Sequence, residues 1–246
     1  MSTTIRDRIG AATGAAFVVL AMVGNEIASG SSGSARPTGE QVLSDVARQA
    51  SSTAYTVGVV LECLAFVAFI GFLGYLTYAL RRARGRGPAG LAAGAAVVSG
   101  AVMLAVKLGS VAPLGALAID HAHMSPQLAL VLNDLSGVTF IICWLPFAIF
   151  VAATAAALHR AGLVGRPTTY IGFALGAIGL ALSIAGVYEP AGANPLAFLL
   201  GLAWLLAVSI RLAVRPGRDL DPGPASGTAS DPASGEAAGA RVVVSA

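Results

Sequence analysis

Five polar side chains stand inside otherwise apolar stretches of this 246-residue chain: Glu26, Glu62, Lys107, Asn133 and Asp134. Lys107 is the only lysine in the sequence. An ionisable group in hydrocarbon surroundings is expensive to keep, so each is a candidate functional residue. One ammonium among three carboxylates could build a polar pocket that binds a cation, a proton or a small polar solute. The excess of negative charge would leave one carboxyl protonated or awaiting a cation. The same residues also read as a structural ion pair, or as side chains snorkelling to lipid headgroups, and the structural reading comes first.

A second cluster, Asp120-His121-Ala122-His123, offers ligand types common at zinc. Two histidines at i, i+2 converge poorly on one ion from a helix, and no third ligand is spaced to help. They read as solvated loop residues, with a metal-dependent intramembrane hydrolase as the weakest of the functional readings. There is no Gly-rich phosphate loop, no Cys-x-x-Cys and no His-Glu-x-x-His. None of the three histidines lies within an apolar core, which excludes bis-histidine haem. No catalytic residue and no cofactor is therefore expected. The leading expectation is a non-enzymatic structural or accessory membrane protein, and the alternative is a transporter or a protein binding a small solute or cation.

The elements that must position these groups are six apolar stretches, roughly Ile9–Ala28, Thr56–Leu80, Ala89–Leu108, Leu135–Leu158, Tyr170–Val187 and Pro195–Val214. Each is close to the about 20 residues that a helix needs to cross a hydrocarbon core of about 30 Å. With no water to satisfy backbone groups there, such stretches are stable only as helices. The composition agrees: 56% hydrophobic and only 11% charged, where a soluble domain carries about 25% charged residues. The expected fold is an all-α membrane bundle of six transmembrane helices in three hairpins, spanning residues 9–215.

The arginines set the expected orientation. Arg6 and Arg8 precede the first stretch, Arg81, Arg82, Arg84 and Arg86 follow the second, Arg160 and Arg166 lie between the fourth and fifth, and Arg211, Arg215 and Arg218 end the sixth. The opposite loops hold only Arg36 and Arg48. By the positive-inside rule, residues 1–8 and the C-terminus are cytoplasmic in a bacterial inner (plasma) membrane. The net charge of +3 is then a topogenic signal and gives no reason to expect a nucleic-acid partner. The expected partners are the lipid bilayer and either another membrane protein or a small polar solute or cation. Asn25 and Glu26, just before the small residues Ala28-Ser29-Gly30, favour an uncleaved first helix over a secretory leader.

Counted from those arginines at about 1.5 Å per residue, Glu26, Glu62 and Lys107 reach about 27–32 Å, with Asp134 slightly higher. Four helices thus bring polar groups to nearly one level. If the apolar Val111–Ile119 run extends the third helix, Lys107 lies deeper and the binding reading gains.

The first outer loop, 29–54, opens as a Gly/Ser linker. Thr38 and Gln41 then have capping-box spacing, ahead of a short amphipathic helix whose Val42, Leu43, Val46, Ala47 and Ala50 share a face. A lid on the bundle is the expected role. Gly10/Gly14, Gly90/Gly94 and Gly172/Gly176 recur at the starts of the odd-numbered helices, where they would permit close packing of three equivalent hairpins. Pro146 should kink the fourth helix or mark a gap in its hydrogen bonding. Cys63 and Cys143 read as core fillers. The Pro/Gly/Ser/Ala-rich segment 216–246 is expected to be a disordered cytoplasmic tail.

Four runs carry a family likeness: Arg8-Ile9-Gly10, Pro37-Thr38-Gly39-Glu40-Gln41-Val42, Phe72-Leu73-Gly74-Tyr75-Leu76 and Asn133-Asp134-Leu135. Over about Arg8 to Val187 the chain resembles a group of small six-helix integral membrane proteins from GC-rich, actinobacterial-type genomes, classed as a domain of unknown function. The resemblance implies the six-helix fold and brings no activity, cofactor or site residue.

Overall fold

The computed structural model describes residues 3–29, 37–82, 90–188 and 194–214. The Gly/Ser run from Gly30 on, Arg36, Arg84, Arg86, Arg215, Arg218 and the 216–246 tail lie outside the described residues, while Ser29, expected in the loop, is the last residue of α1. Among those described there are seven α-helices: α1 Thr3–Ser29, α2 Gly39–Ala50, α3 Thr53–Arg82, α4 Gly90–Asp120, α5 Pro126–Arg160, α6 Arg166–Tyr188 and α7 Leu196–Val214. All but α2 are long and apolar enough to cross a membrane, as in a multi-pass membrane protein.

Two helix boundaries differ from the sequence expectation, and both differences bear on the site. The third apolar stretch does not stop near Leu108. It continues as α4 through Pro113 to Asp120, because the Val111–Ile119 run is apolar enough to prolong the helix and a proline is tolerated in such surroundings. The next helix does not open at Asn133-Asp134-Leu135. It begins at Pro126, where the Ser125 hydroxyl caps the end by accepting the Leu128 N–H at 3.3 Å. Proline occupies the first turn, a position that needs no N–H partner. The connection between α4 and α5 shrinks to residues 121–125, and Asn133 and Asp134 become helix-interior positions. α5 also runs without a break through Pro146.

α5 is the most enclosed helix, with α4 on one flank and α6 on another. α1 lies along α3, and α7 bridges α1 to α6, touching α5 as well. The first two membrane hairpins, α1 with α3 and α4 with α5, are closely packed. The third is splayed: α6 packs mainly on α5 and α7 mainly on α1. The shared core is aromatic. Phe17 and Phe69 have ring centroids 4.6 Å apart, Phe69 meets Phe150 edge-on at 5.4 Å, and Phe147 lies 4.9 Å from Phe198 of α7.

Where helices touch, glycine makes the contact possible. A Cβ at Gly10 would stand 2.5 Å from the Tyr75 ring, and one at Gly172 would stand 2.6 Å from the Ala155 Cβ. Gly90 and Gly94 have nothing within 4 Å, so the expected threefold recurrence holds for α1 and α6 and fails for α4. A further close approach, one that the glycine pattern did not predict, lies between Gly24 of α1 and Gly58 of α3, where a Cβ on either would meet backbone of the other helix within 3.0 Å.

α5 ends on Gly162, the one described glycine with positive φ (72°). Its N–H donates to the His159 carbonyl at 2.9 Å, and the Leu163 N–H to the Leu158 carbonyl at 2.9 Å. That pairing is a Schellman closure, which satisfies the last carbonyls of α5 and turns the chain into α6.

Candidate functional site

α3 and α4 are neighbours that touch little, and at the α2 end of the bundle they part around a cavity of about 520 Å³. Four helices face it with residues at helical spacing. α3 contributes Tyr55, Val59 and Glu62; α4 contributes Lys107, Ser110, Val111, Leu114 and Ala118. α5 contributes Asn133, Ser136, Gly137 and Phe140, and α2 supplies Val42, Asp45, Val46, Gln49 and Ala50. Each set follows the i, i+3, i+4, i+7 stripe of one helix face. Asn25 and Ala28 at the end of α1 complete the wall.

Inside it, Lys107 Nζ lies 2.8 Å from Glu62 Oε1, with the two side chains 18% and 13% exposed. The ammonium also sits over the Phe140 ring, 4.6 Å from its centroid, where the negative face of the π system attracts it. Because α4 continues to Asp120, Lys107 stands more than three turns in from that end. Lys107 is therefore well inside the apolar length of α4, while Glu62 lies nine residues from the start of α3.

Two serines tie α4 to α5 beside this pair. The Ser136 hydroxyl donates 2.7 Å to the Ser110 carbonyl, and the Ser110 hydroxyl donates 2.7 Å to the Lys107 carbonyl. Proline at 113 has no N–H to give the Gly109 carbonyl, so this is a stretch of α4 whose regular ladder is interrupted. The cross-helix bond from Ser136 holds the backbone just there.

α2 forms the roof. Thr38 Oγ1 accepts the Gln41 N–H at 3.3 Å while Gln41 Oε1 accepts the Thr38 N–H at 2.8 Å. The two bonds make a reciprocal cap on the first turn. Val42 is buried with Leu117 of α4 and Ala129 of α5, so the apolar face of α2 rests on the bundle. Its seat is close, since a Cβ at Gly39 would collide with the Pro126 carbonyl. Asp45, on the face toward the cavity, is paired with Arg48.

Of the five polar residues singled out in the sequence, Glu62, Lys107 and Asn133 line this one cavity. Glu26 and Asp134 lie outside its lining; their chain neighbours Asn25 and Asn133 face it instead. Helix rotation accounts for this, since adjacent residues are about 100° apart around the axis. Asp120 and His123 are exposed, and the His121 ring nitrogen Nδ1 lies 3.1 Å from the Ala118 carbonyl. Among the described residues no three His, Cys, Asp or Glu side chains gather to hold a metal, so the zinc reading of Asp120, His121 and His123 lacks a ligand set. Cys63 is exposed and Cys143 buried, and both are free.

Phe140, Ser110, Ser136 and Tyr55 were not marked by their type, because serine and aromatics are ordinary in membrane helices. Their spacing from Asn133, Lys107 and Glu62 was the available signal. At the other end of the bundle the buried Asp7 pairs with Arg82, whose Nη1 lies 3.5 Å away, a second tie between α1 and α3.

Comparison with protein families, curated proteins and solved structures yields no match.

Proposed function

We propose that this is a multi-pass membrane protein that binds a small polar solute in the cavity between α2, α3, α4 and α5. The observation that carries the reading is the Lys107–Glu62 pair lining a cavity of about 520 Å³, a volume within the range of small-molecule sites. The pair is not packed on every side. It borders space that also meets amides, hydroxyls and an aromatic face. That is the mixture of apolar wall and few oriented polar groups expected of a ligand site.

The arginine distribution supports an orientation in which both termini are cytoplasmic and the cavity faces outward beneath α2, in a bacterial cell membrane. Kinship with the actinobacterial-type six-helix proteins belongs to the same proposal, on the residue runs quoted above.

A structural role for the pair has its own support. α3 and α4 have few other contacts, so the Lys107–Glu62 bridge ties two otherwise loosely joined helices. The two readings part in one experiment: thermal unfolding of the detergent-purified protein and of Lys107→Met with a panel of amino acids, sugars, polyamines and metal cations. A solute that raises the midpoint of the parent and leaves the variant unmoved supports binding, because a ligand selective for the folded state stabilises it by mass action. A lower midpoint in the variant, with no solute effect on either protein, leaves the structural role alone.

A further inference from the structure

We infer that the solute is a zwitterion, a molecule carrying a carboxylate or phosphate and an ammonium a few ångströms apart. This rests on the solute-binding reading above and narrows it to a chemical class.

The site is charge-balanced before anything enters. An anion that draws Lys107 away leaves the Glu62 carboxylate without its ammonium, and a cation that takes Glu62 strands Lys107. Either event leaves one largely enclosed charge unpaired, which is the costly outcome of breaking such a pair. A zwitterion inserted between Lys107 and Glu62 pairs both: its acidic oxygen accepts from the Lys107 ammonium, and its own ammonium donates to the Glu62 carboxylate. Ligand and site each stay neutral overall, so no net charge is carried into apolar surroundings.

The neighbouring groups fit that exchange. Phe140 holds the Lys107 ammonium from another side at 4.6 Å, so the side chain keeps a partner while its contact with Glu62 opens. The Ser110 and Ser136 hydroxyls have each spent their hydrogen on a backbone carbonyl. They have only lone pairs left to offer, which suits an ammonium donor. Val59, Val111 and Leu114 leave room for a small apolar body between the poles.

The same chemistry is carried by a free α-amino acid and by the phosphoethanolamine head of a lipid, and two arms distinguish them. In the first, the 246-residue protein in a maltoside detergent is titrated calorimetrically with L-valine, with isobutylamine and isovalerate as its two halves, and with glycerophosphoethanolamine, the neutral diester form of the lipid head. In the second, the protein is placed in nanodiscs of phosphatidylglycerol with or without phosphatidylethanolamine, and retained lipid is counted by native mass spectrometry.

The expected result is that L-valine or glycerophosphoethanolamine binds, each half of valine at least about tenfold more weakly than the whole. The Glu62→Gln/Lys107→Met double variant, with its charges removed together, loses the binding. Val111→Phe, which fills the cavity and keeps both charges, loses it too and remains informative should the double variant not fold. Valine binding assigns a free solute, whereas phosphatidylethanolamine retained by the parent and lost from the variants assigns a headgroup. A half-molecule that binds as well as the whole overturns the zwitterion inference while leaving the polar-solute reading in place. No binding by any of these probes, with no lipid retained, overturns the inference alone; the wider solute panel decides the reading beneath it.

Discussion

Gly58 lies so near Gly24 that a Cβ on it would stand 2.9 Å from the Gly24 carbonyl oxygen and 2.7 Å from the Ala28 nitrogen. The backbones of α1 and α3 are thus in contact one helical turn from Glu62, and this contact sets where the carboxylate is presented. Where no hydrophobic effect acts between helices, such close packing is itself a source of association.

Gly58→Val should therefore push α1 from α3 at a cost of about 1–3 kcal/mol, the usual penalty of overpacking. Gly74→Ala, on the same helix with nothing within 4 Å, should be neutral or slightly stabilising. Thermal unfolding of both variants in one detergent checks the contrast, and equal destabilisation would refute it.

Removing one partner of the Lys107–Glu62 pair should cost more than removing both. Lys107→Met alone leaves a mostly enclosed carboxylate, at about 3 kcal/mol. Glu62→Gln in that background should recover at least half of the loss, read as the unfolding midpoint of the single and double variants. A double variant no more stable than the singles would mean that the pair matters for packing and not for charge.

Phe140→Leu should weaken the hold on the Lys107 ammonium by about 0.5–2 kcal/mol. It should also loosen α5 from α7, because the same ring lies 5.9 Å from Phe198 of α7. A double-mutant cycle separates the two parts: in the Lys107→Met background the cation–π share vanishes and only the packing loss remains. Identical losses in both backgrounds would show that the ring does not hold the ammonium.

The roof can be lifted without touching the charged groups. Gly39→Val places side-chain atoms against the Pro126 carbonyl and should displace α2. In a Cys63→Ser background, a thiol introduced by Ser136→Cys should then react several-fold faster with a water-soluble maleimide. Unchanged labelling would mean that α2 does not cover the cavity.

Which parts of this site could be read in advance follows from physical cost. Glu62 and Lys107 announce themselves because charge in an apolar stretch is expensive, and Asn133 stands in the same company. The choice of partner was hidden. Three carboxylates lie at a similar height, and which one meets Lys107 depends on helix order and rotation, properties of the assembled bundle. The ends of α4 and α5 were misplaced for a related reason: Pro113 and the polar Asn133-Asp134 pair look like breaks along the chain, yet both are held within helices. Phe140 stayed unmarked because an aromatic ring in a membrane helix is ordinary until an ammonium is found above it.

The charged contact joins successive spanning helices, and this orders events while the chain is being made. When α3 leaves the ribosome, its carboxylate has no counter-charge, because Lys107 is still to be synthesised. The shortest length of nascent chain whose α3–α4 charges cancel ends beyond Lys107, and the ring that steadies the ammonium arrives only with α5. The Lys107–Glu62 contact can thus form only after α4 has been made. Substitutions at Glu62 or Lys107 should lower the yield of inserted protein as well as the stability of what is inserted.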